Sequence, residues 1–318
     1  MTPDTSSAPL TSLGDVTRYC QRTLAVTRRT SQCGYDVYVP GPTMRRRQLG
    51  RALRLLREQA GLRTEDAARE LDCARSKISH IEGARNPVAK PDLDALLRLY
   101  KADQETASAL EDMRREGKER GWWSTYRLPA WLGDLVGLEA DAVNERVVEL
   151  ELIPALLQTE DYARAVHVAA PHMPPGPEVE RRVAARMQRQ QRLTEPNPLT
   201  LSAVISEAAL RRVMAQPDVA AGQLQRLASD AQLPNVTLLV LPFSVGLHGS
   251  MSGSFTLLDF GLEVSLDVGY QEYAAGGHLV DDQDVVRLLS DLYDSLRGRA
   301  LDADESLTLI AELARQVE

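Results

Sequence analysis

The sequence predicts a mainly α N-terminal domain followed by an α+β C-terminal domain, and three observations carry that prediction. From residue 44 onward, apolar residues recur at helical spacing in short runs separated by turn signals. Beyond residue 198, the segments LTLSAVIS, VTLLVLPF, SFTLLDF and VSLDVGYQEY read as strands set between helical stretches. The charge is also divided. Residues 44–101 hold 14 Lys and Arg against 8 Asp and Glu, a net of +6, and residues 1–43 hold 4 against 3. The whole chain is −8, which leaves −15 for residues 102–318. One end attracts phosphate and the other repels it.

The 318 residues suffice for two domains that each bury a core, and 43% hydrophobic with 26% charged residues is ordinary for a globular protein. No apolar run approaches the roughly 20 residues of a bilayer span, so no membrane partner is expected. The start MTPDTSSAPL lacks a basic segment followed by an apolar core, so no secretory signal is expected either. Cys20, Cys33 and Cys73 are too scattered for a disulfide framework or a zinc ribbon. A cytoplasmic location is the expectation.

Residues 1–43, rich in Thr, Ser, Pro and Gly, read as a disordered extension with at most a short helix over 16–26. Met44 then immediately precedes a basic helix in which Leu49, Leu53 and Leu56 fall at i, i+4 and i+7, with Gly61 as its stop. The stretch RTEDAARELDCARSKISHIEGAR, residues 63–85, predicts two short helices about a tight corner. Thr64 is the expected N-cap, and Asp66 suits the first turn. Ala67, Ala68 and Leu71 form a narrow apolar face, and Asp72 and Cys73 make the corner. The second helix starts near Ala74 and buries Ile78 and Ile81, leaving Arg75, Ser76, Lys77, Ser79 and His80 exposed. PDLDALLRLY supplies a further helix through Leu93, Leu96, Leu97 and Tyr100.

A short helix whose free face holds only cations and small hydrogen-bonding groups suits a DNA major groove; a solvated helical hairpin is the plainer alternative. The expected DNA-binding residues are Arg63, Thr64, Arg75, Ser76, Lys77, Ser79, His80 and Arg85. Thr64 and Arg85 are assigned to phosphate. Glu82, acidic in the same helix, is expected to pair back to Arg57 or Arg54. One such helix reads few base pairs, so a homodimer on a palindromic double-stranded site is expected.

A polar helix over 103–119 follows, stopped by Gly121. Trp122, Trp123, Tyr126, Leu128 and Trp131 come next, including every tryptophan of the chain. Residues 119–137 therefore read as an aromatic junction between domains or subunits, a commoner use of Trp than base stacking.

The helical region resembles the lambda-repressor-like (XRE) helix-turn-helix domain, in particular its actinobacterial branch. There the run SKIS-x-IE-x-x-R precedes a D-x-x-x-LL-x-LY helix. Here these are Ser76, Lys77, Ile78, Ser79, Ile81, Glu82 and Arg85, then Asp92, Leu96, Leu97, Leu99 and Tyr100. Asp72 replaces the usual corner glycine, His80 a common Arg, and Cys73 a buried apolar residue.

The chain beyond 138 is similar to a large C-terminal domain of unknown function that follows such units. Of the family run P-G-LLQT-x-x-YA it keeps Pro154, Leu156, Leu157, Gln158, Thr159, Tyr162 and Ala163, with Ala155 in place of the glycine. Of R-V-x-x-R-x-x-RQ it keeps Arg182, Val183, Arg186, Arg189 and Gln190. The resemblance runs from Met44 to the C-terminus. It implies a helix-turn-helix domain over 44–118 and an α+β sensor, partner-binding and dimerisation domain over 138–318. It also implies a transcriptional regulator of the toxin–antitoxin, antitoxin-like kind, in which that domain receives a small partner protein or a small-molecule effector.

Within 138–318, Pro154 is expected to end one helix and Thr159 to cap the next. Arg182, Arg186 and Arg189 share a helical face, expected to pair with local carboxylates or to form a subunit interface, with a second DNA contact or an anionic-ligand site as the minority alternative. Helices are expected over 207–213, 218–231 and 284–296, and from about 304. His80, His167, His172, His248 and His278 show no ligand spacing, and no Walker-type, G-x-G-x-x-G or G-x-S-x-G run is present. The glycine-rich loop 246–254 and His278 after Gly276 and Gly277 read as connections, with a ligand-gated loop as the minority alternative. No catalytic residue, metal or cofactor is therefore expected, and an enzyme carrying a DNA-binding head is the least favoured class.

Overall fold

Proline at the first helical position costs no hydrogen bond and presets the backbone dihedral, and helix α1 (Pro42–Gln59) begins on such a residue. The helix thus starts two residues before Met44, which is fully buried within it instead of preceding it. The computed structural model describes residues 40–170, 175–261 and 267–317. The extension before residue 40, the helix expected over 16–26, His172, and the start of VSLDVGYQEY lie outside these residues.

Leu49, Leu53 and Leu56 of α1 are buried as their spacing requires, and Gly61 closes the helix at φ +68°. Helices α2 (Thr64–Glu70), α3 (Arg75–Glu82), α4 (Lys90–Leu99) and α5 (Gln104–Glu116) follow. Asp103 caps α5 by accepting the Thr106 N–H at 2.7 Å. Although polar in sequence, α5 buries Ala109, Leu110 and Met113 and packs along α1. Leu93, Leu96, Leu97 and Tyr100 face inward from the α4 segment.

The chain divides after Gly121, and the aromatic segment belongs to the second unit. A 3-10 turn, Trp122–Tyr126, stacks Trp122 edge-on against Trp123 and Tyr126, with ring centroids 6.0 and 5.8 Å apart. It packs on helix α6 (Ala130–Glu139).

Strand β1 (Asn144–Glu149) comes next, where a helix ending at Pro154 was expected. It sits in the middle of a six-stranded sheet, so Val147 and Val148 are buried on opposite faces, and lateral pairing outweighs local helical preference. Thr159 caps helix α7 (Glu160–Val168) by accepting the Tyr162 N–H at 3.2 Å, as expected. Helix α8 (Pro177–Gln190), strand β2 (Thr200–Ser206), helices α9 (Glu207–Met214) and α10 (Pro217–Asp230) and strand β3 (Val236–Leu241) follow. Strands β4 (Phe255–Asp259), β5 (Val268–Tyr273) and β6 (Gly276–Val280) and helices α11 (Gln283–Arg297) and α12 (Ala303–Ala314) complete the unit.

The sheet order is β3-β2-β1-β4-β5-β6. The β1–β2 and β2–β3 pairs are parallel, and the other three are antiparallel. Helix α11 covers one face, setting Val286, Leu289, Tyr293 and Leu296 on Val148, Val204, Leu239, Phe255 and Leu257. The fold is therefore helical through 121, and α+β with a mixed sheet beyond it. Strand β6 contains His278, which sequence reasoning left in a connection. Its glycines hid the strand, and its antiparallel pairing with β5, Tyr270 opposite Leu279, reveals it.

Candidate nucleic-acid interface

Helix α3 exposes one face because its other face is pinned in three ways. Ile78 and Ile81 are buried to 0% and 3% exposure, the first requirement of a presented helix. Gly50 of α1 lies beneath its last turn; a Cβ there would sit 2.6 Å from the Glu82 carbonyl oxygen and 2.7 Å from that of Ile81. The Arg57 guanidinium holds the Glu82 carboxylate through two hydrogen bonds, Nε to Oε1 at 2.7 Å and Nη2 to Oε2 at 2.9 Å. Arg54 pairs instead with Glu58 at 2.9 Å.

The corner preceding α3 places Asp72 at φ +45°, the left-handed conformation that a short polar side chain tolerates. Cys73, expected in the core, is half-buried with a free thiol. Thr64 is the first helical residue of α2 and not its cap. Arg63 holds the cap position, and the Asp66 carboxylate reaches back to accept the Arg63 N–H at 2.9 Å. That bond, ahead of a weaker one from Arg69, holds the Asp66 pKa below its ordinary value.

Of the predicted readers, Arg75, Ser76 and Ser79 are exposed on α3, and Arg63 and Arg85 are exposed outside the helix cores. Thr64, Lys77 and His80 are half-buried, which for Lys77 and His80 departs from the exposure expected of them. The helix ends beside His80, whose carbonyl accepts the Arg85 and Asn86 N–H groups at 2.8 and 3.2 Å. The chain then turns through Ala84 at φ +57°, which carries Arg85 to the surface.

Two carboxylates escaped sequence reasoning. Glu65, in the first turn of α2, pairs with Arg75 at 3.1 Å, and Asp92, at the start of α4, pairs with Lys77 at 2.7 Å. The hydrogen bond that Lys77 donates to Asp92 raises the Lys77 pKa, so its ammonium stays charged. Both pairs are solvent-accessible and of the kind worth about 0–1 kcal/mol, so a phosphate can displace either carboxylate at small cost. The Glu65–Arg75 contact also brings the N-terminal turn of α2 beside the start of α3. Thr64 and Arg75 thus belong to one surface, whereas only tertiary packing could identify the carboxylates that hold its cations.

A two-helix corner with a presented second helix, inside a helical unit of net positive charge, defines a helix-turn-helix protein, the class that supports DNA binding. Residues 48–110 match the family described as Helix-turn-helix domain. Residues 132–312 match the Domain of unknown function (DUF5753), and this chain belongs to that family. No curated protein and no solved structure matches it. Among the described residues, no helix is long and apolar enough to cross a membrane.

Proposed function

We propose that this protein is a sequence-specific transcriptional regulator that binds double-stranded DNA as a homodimer and receives its signal in the C-terminal unit. One observation carries the reading: α3 displays Arg75, Ser76 and Ser79 while Ile78, Ile81 and the Arg57–Glu82 pair fix its opposite side. Ser79 and Arg75 lie one helical turn apart and suit base edges, while Arg63, Thr64, Lys77, His80 and Arg85 frame them for phosphate and base contacts. The reading assigns the chain no catalytic step, places it in the cytoplasm and keeps the XRE likeness.

The antitoxin-like variant, with a small partner protein on the C-terminal unit, is favoured by a separate observation. Phe243, Leu247, Met251 and Leu288 are 60%, 84%, 60% and 66% exposed. Gly249 of the same loop lies against Leu292 of α11, one turn from Leu288. A stable small partner would cover this apolar surface.

The test is selection of bound sites from random duplex DNA, followed by footprinting and sedimentation of the full chain. The expected result is two protected half-sites about 10 bp apart, or a multiple, bound by a dimer. A monomer protecting one isolated half-site, or binding without sequence preference at low salt, overturns the reading.

A further inference from the structure

Between the sheet and helix α8 the second unit holds a partly open cavity of about 740 Å³. Its floor follows from strand periodicity. Glu145, Val147 and Glu149 alternate along β1 and share one face, while Tyr270 and Glu272 do the same on β5. Strand β4 joins the two, pairing Thr256 with Val147 on one side and with Tyr270 on the other. The roof is the arginine face of α8. Two of its three cations are spent on the protein itself: Arg182 pairs with Glu178 at 2.9 Å, and Arg189 closes on buried Glu139 with Nε donating to Oε1 at 2.9 Å.

Arg186 is different. Its Nη1 donates to Gln158 Oε1 at 2.7 Å, and among the described residues no carboxylate lies within ion-pair distance of it. A guanidinium has five donors, and Arg186 lines the cavity with one of them given to Gln158. Across the space, Glu145 is 6% exposed, and its Oε2 has no hydrogen-bond partner among the described residues. His167 Nε2, also at the cavity wall, is buried without a hydrogen-bond partner among the described residues. Unsatisfied polar groups buried beside an open cavity cost stability unless something else satisfies them.

Burial raises Glu145, its pKa pushed up to about 8, with the Glu139 charge adding to the effect and Arg189 opposing it. Burial likewise raises Glu149 to about 7 and, helped by Arg186 and Arg182, lowers His167 to about 4. Carboxylates held in this way gain most from an incoming cation, and Arg186 gains most from an incoming anion. The remaining wall is apolar, from Trp131, Leu132, Leu135 and Ile153, and the volume lies within the range of small-molecule sites.

We infer that this cavity is a ligand site for a small zwitterion of the amino-acid or short-peptide class. The ligand's ammonium group sits against Glu145 and Glu149, its carboxylate on Arg186, and its apolar side chain on the Trp131–Leu135 wall. The inference rests on the regulator reading only in making the zwitterion the signal of the C-terminal unit; the binding itself stands on the cavity.

The experiment uses the full chain and a probe set of the twenty amino acids and Ala- and Phe-containing di- and tripeptides. Each peptide is also tested N-acetylated and C-amidated, and binding is read by thermal shift and calorimetry. The expected result is a dose-dependent rise in Tm with at least one free zwitterion. Affinity should fall at least tenfold on blocking either end, and by as much in Glu145→Gln, which keeps the shape and removes the charge. Arg186→Lys should lose the preference for a free carboxylate while still folding. The inference is overturned if no probe shifts the Tm, if blocked and free probes bind alike, or if both variants bind as the parent does. DNA binding measured on the same samples separates the two readings. Operator binding without zwitterion binding removes this inference alone, and zwitterion binding without any DNA binding removes the regulator.

Discussion

Arg57 and Glu82, twenty-five residues apart, face each other across the packed junction of α1 and α3 with two hydrogen bonds, and each side chain is only 9% exposed. The hydrogen bond to Glu82 raises the Arg57 pKa against the effect of burial, so the guanidinium stays charged. Glu82 therefore fixes α3 against α1, and the proposed reading gives it no contact with DNA. Removing one partner of a buried pair leaves the other uncompensated, at about 3 kcal/mol or more. Glu82→Ala should lower the Tm of the N-terminal unit within the full chain. A Glu82→Ala protein that melts like the parent yet has lost DNA binding would refute this assignment.

Gly50 tests the same junction by volume. Any side chain there meets the Ile81 and Glu82 carbonyl oxygens, which are backbone atoms and cannot rotate away. Gly50→Ala should cost about 1–3 kcal/mol by overpacking, despite the higher helix propensity of Ala. Chemical denaturation measures this directly, and an unchanged or higher midpoint would show that α1 and α3 are not so close.

Lys77 and Asp92 make a prediction about DNA affinity with an unusual sign. Asp92 holds Lys77 in the free protein and adds a negative charge at the interface. Asp92→Asn should tighten operator binding severalfold at low salt, whereas Lys77→Ala and Arg85→Ala should weaken it. Each lost phosphate contact should reduce the slope of log K against log salt by about one, while a lost base contact costs about 1–3 kcal/mol at its own position. Fluorescence anisotropy across a salt series distinguishes these outcomes, and a weaker Asp92→Asn complex would contradict the proposed exchange.

The buried carboxylates of the cavity predict a pH dependence. Glu145, at about 8, faces Glu139, Glu149 and Arg189; Glu149, at about 7, faces Glu272 and Arg186. Both ordinarily titrate near 4.5, so above that pH the folded chain binds more protons than the unfolded one, and stability falls as pH rises. The fall is complete once pH passes about 8. His167, lowered to about 4 from 6.5, acts in the opposite direction but only below about 6.5, leaving the carboxylates to set the slope from 6.5 to 8. Glu145→Gln should raise the Tm at pH 8 by roughly 5 °C and have little effect near pH 4.5. Parallel Tm–pH curves for parent and variant would show that Glu145 titrates normally.

The legible parts of this chain were those governed by local chemistry. Leucine spacing placed α1 and α4, the Asp72 corner and the buried Ile78 and Ile81 defined α2 and α3, and Thr159 announced the start of α7. Lone strands of alternating or continuous apolar residues announced β2, β3 and β4. Glycine-rich β6 and charged β1 were not legible, because their conformation depends on neighbours distant in sequence.

The sequence by itself determined that a basic helical unit precedes an acidic α+β unit, and that α3 buries Ile78 and Ile81 while exposing Arg75, Ser76 and Ser79. It also anticipated that Glu82 turns back toward α1. Tertiary structure alone decided that Glu65 and Asp92 hold Arg75 and Lys77, and that Arg182 and Arg189 are committed to carboxylates while Arg186 lines a cavity. The physical reason is that helix periodicity assigns a side chain to a face, but its partner comes from whichever element packs there. For α8 that element is a sheet whose β1 and β5 carry Glu145, Glu149 and Glu272 on the same side, although more than a hundred residues separate the two strands.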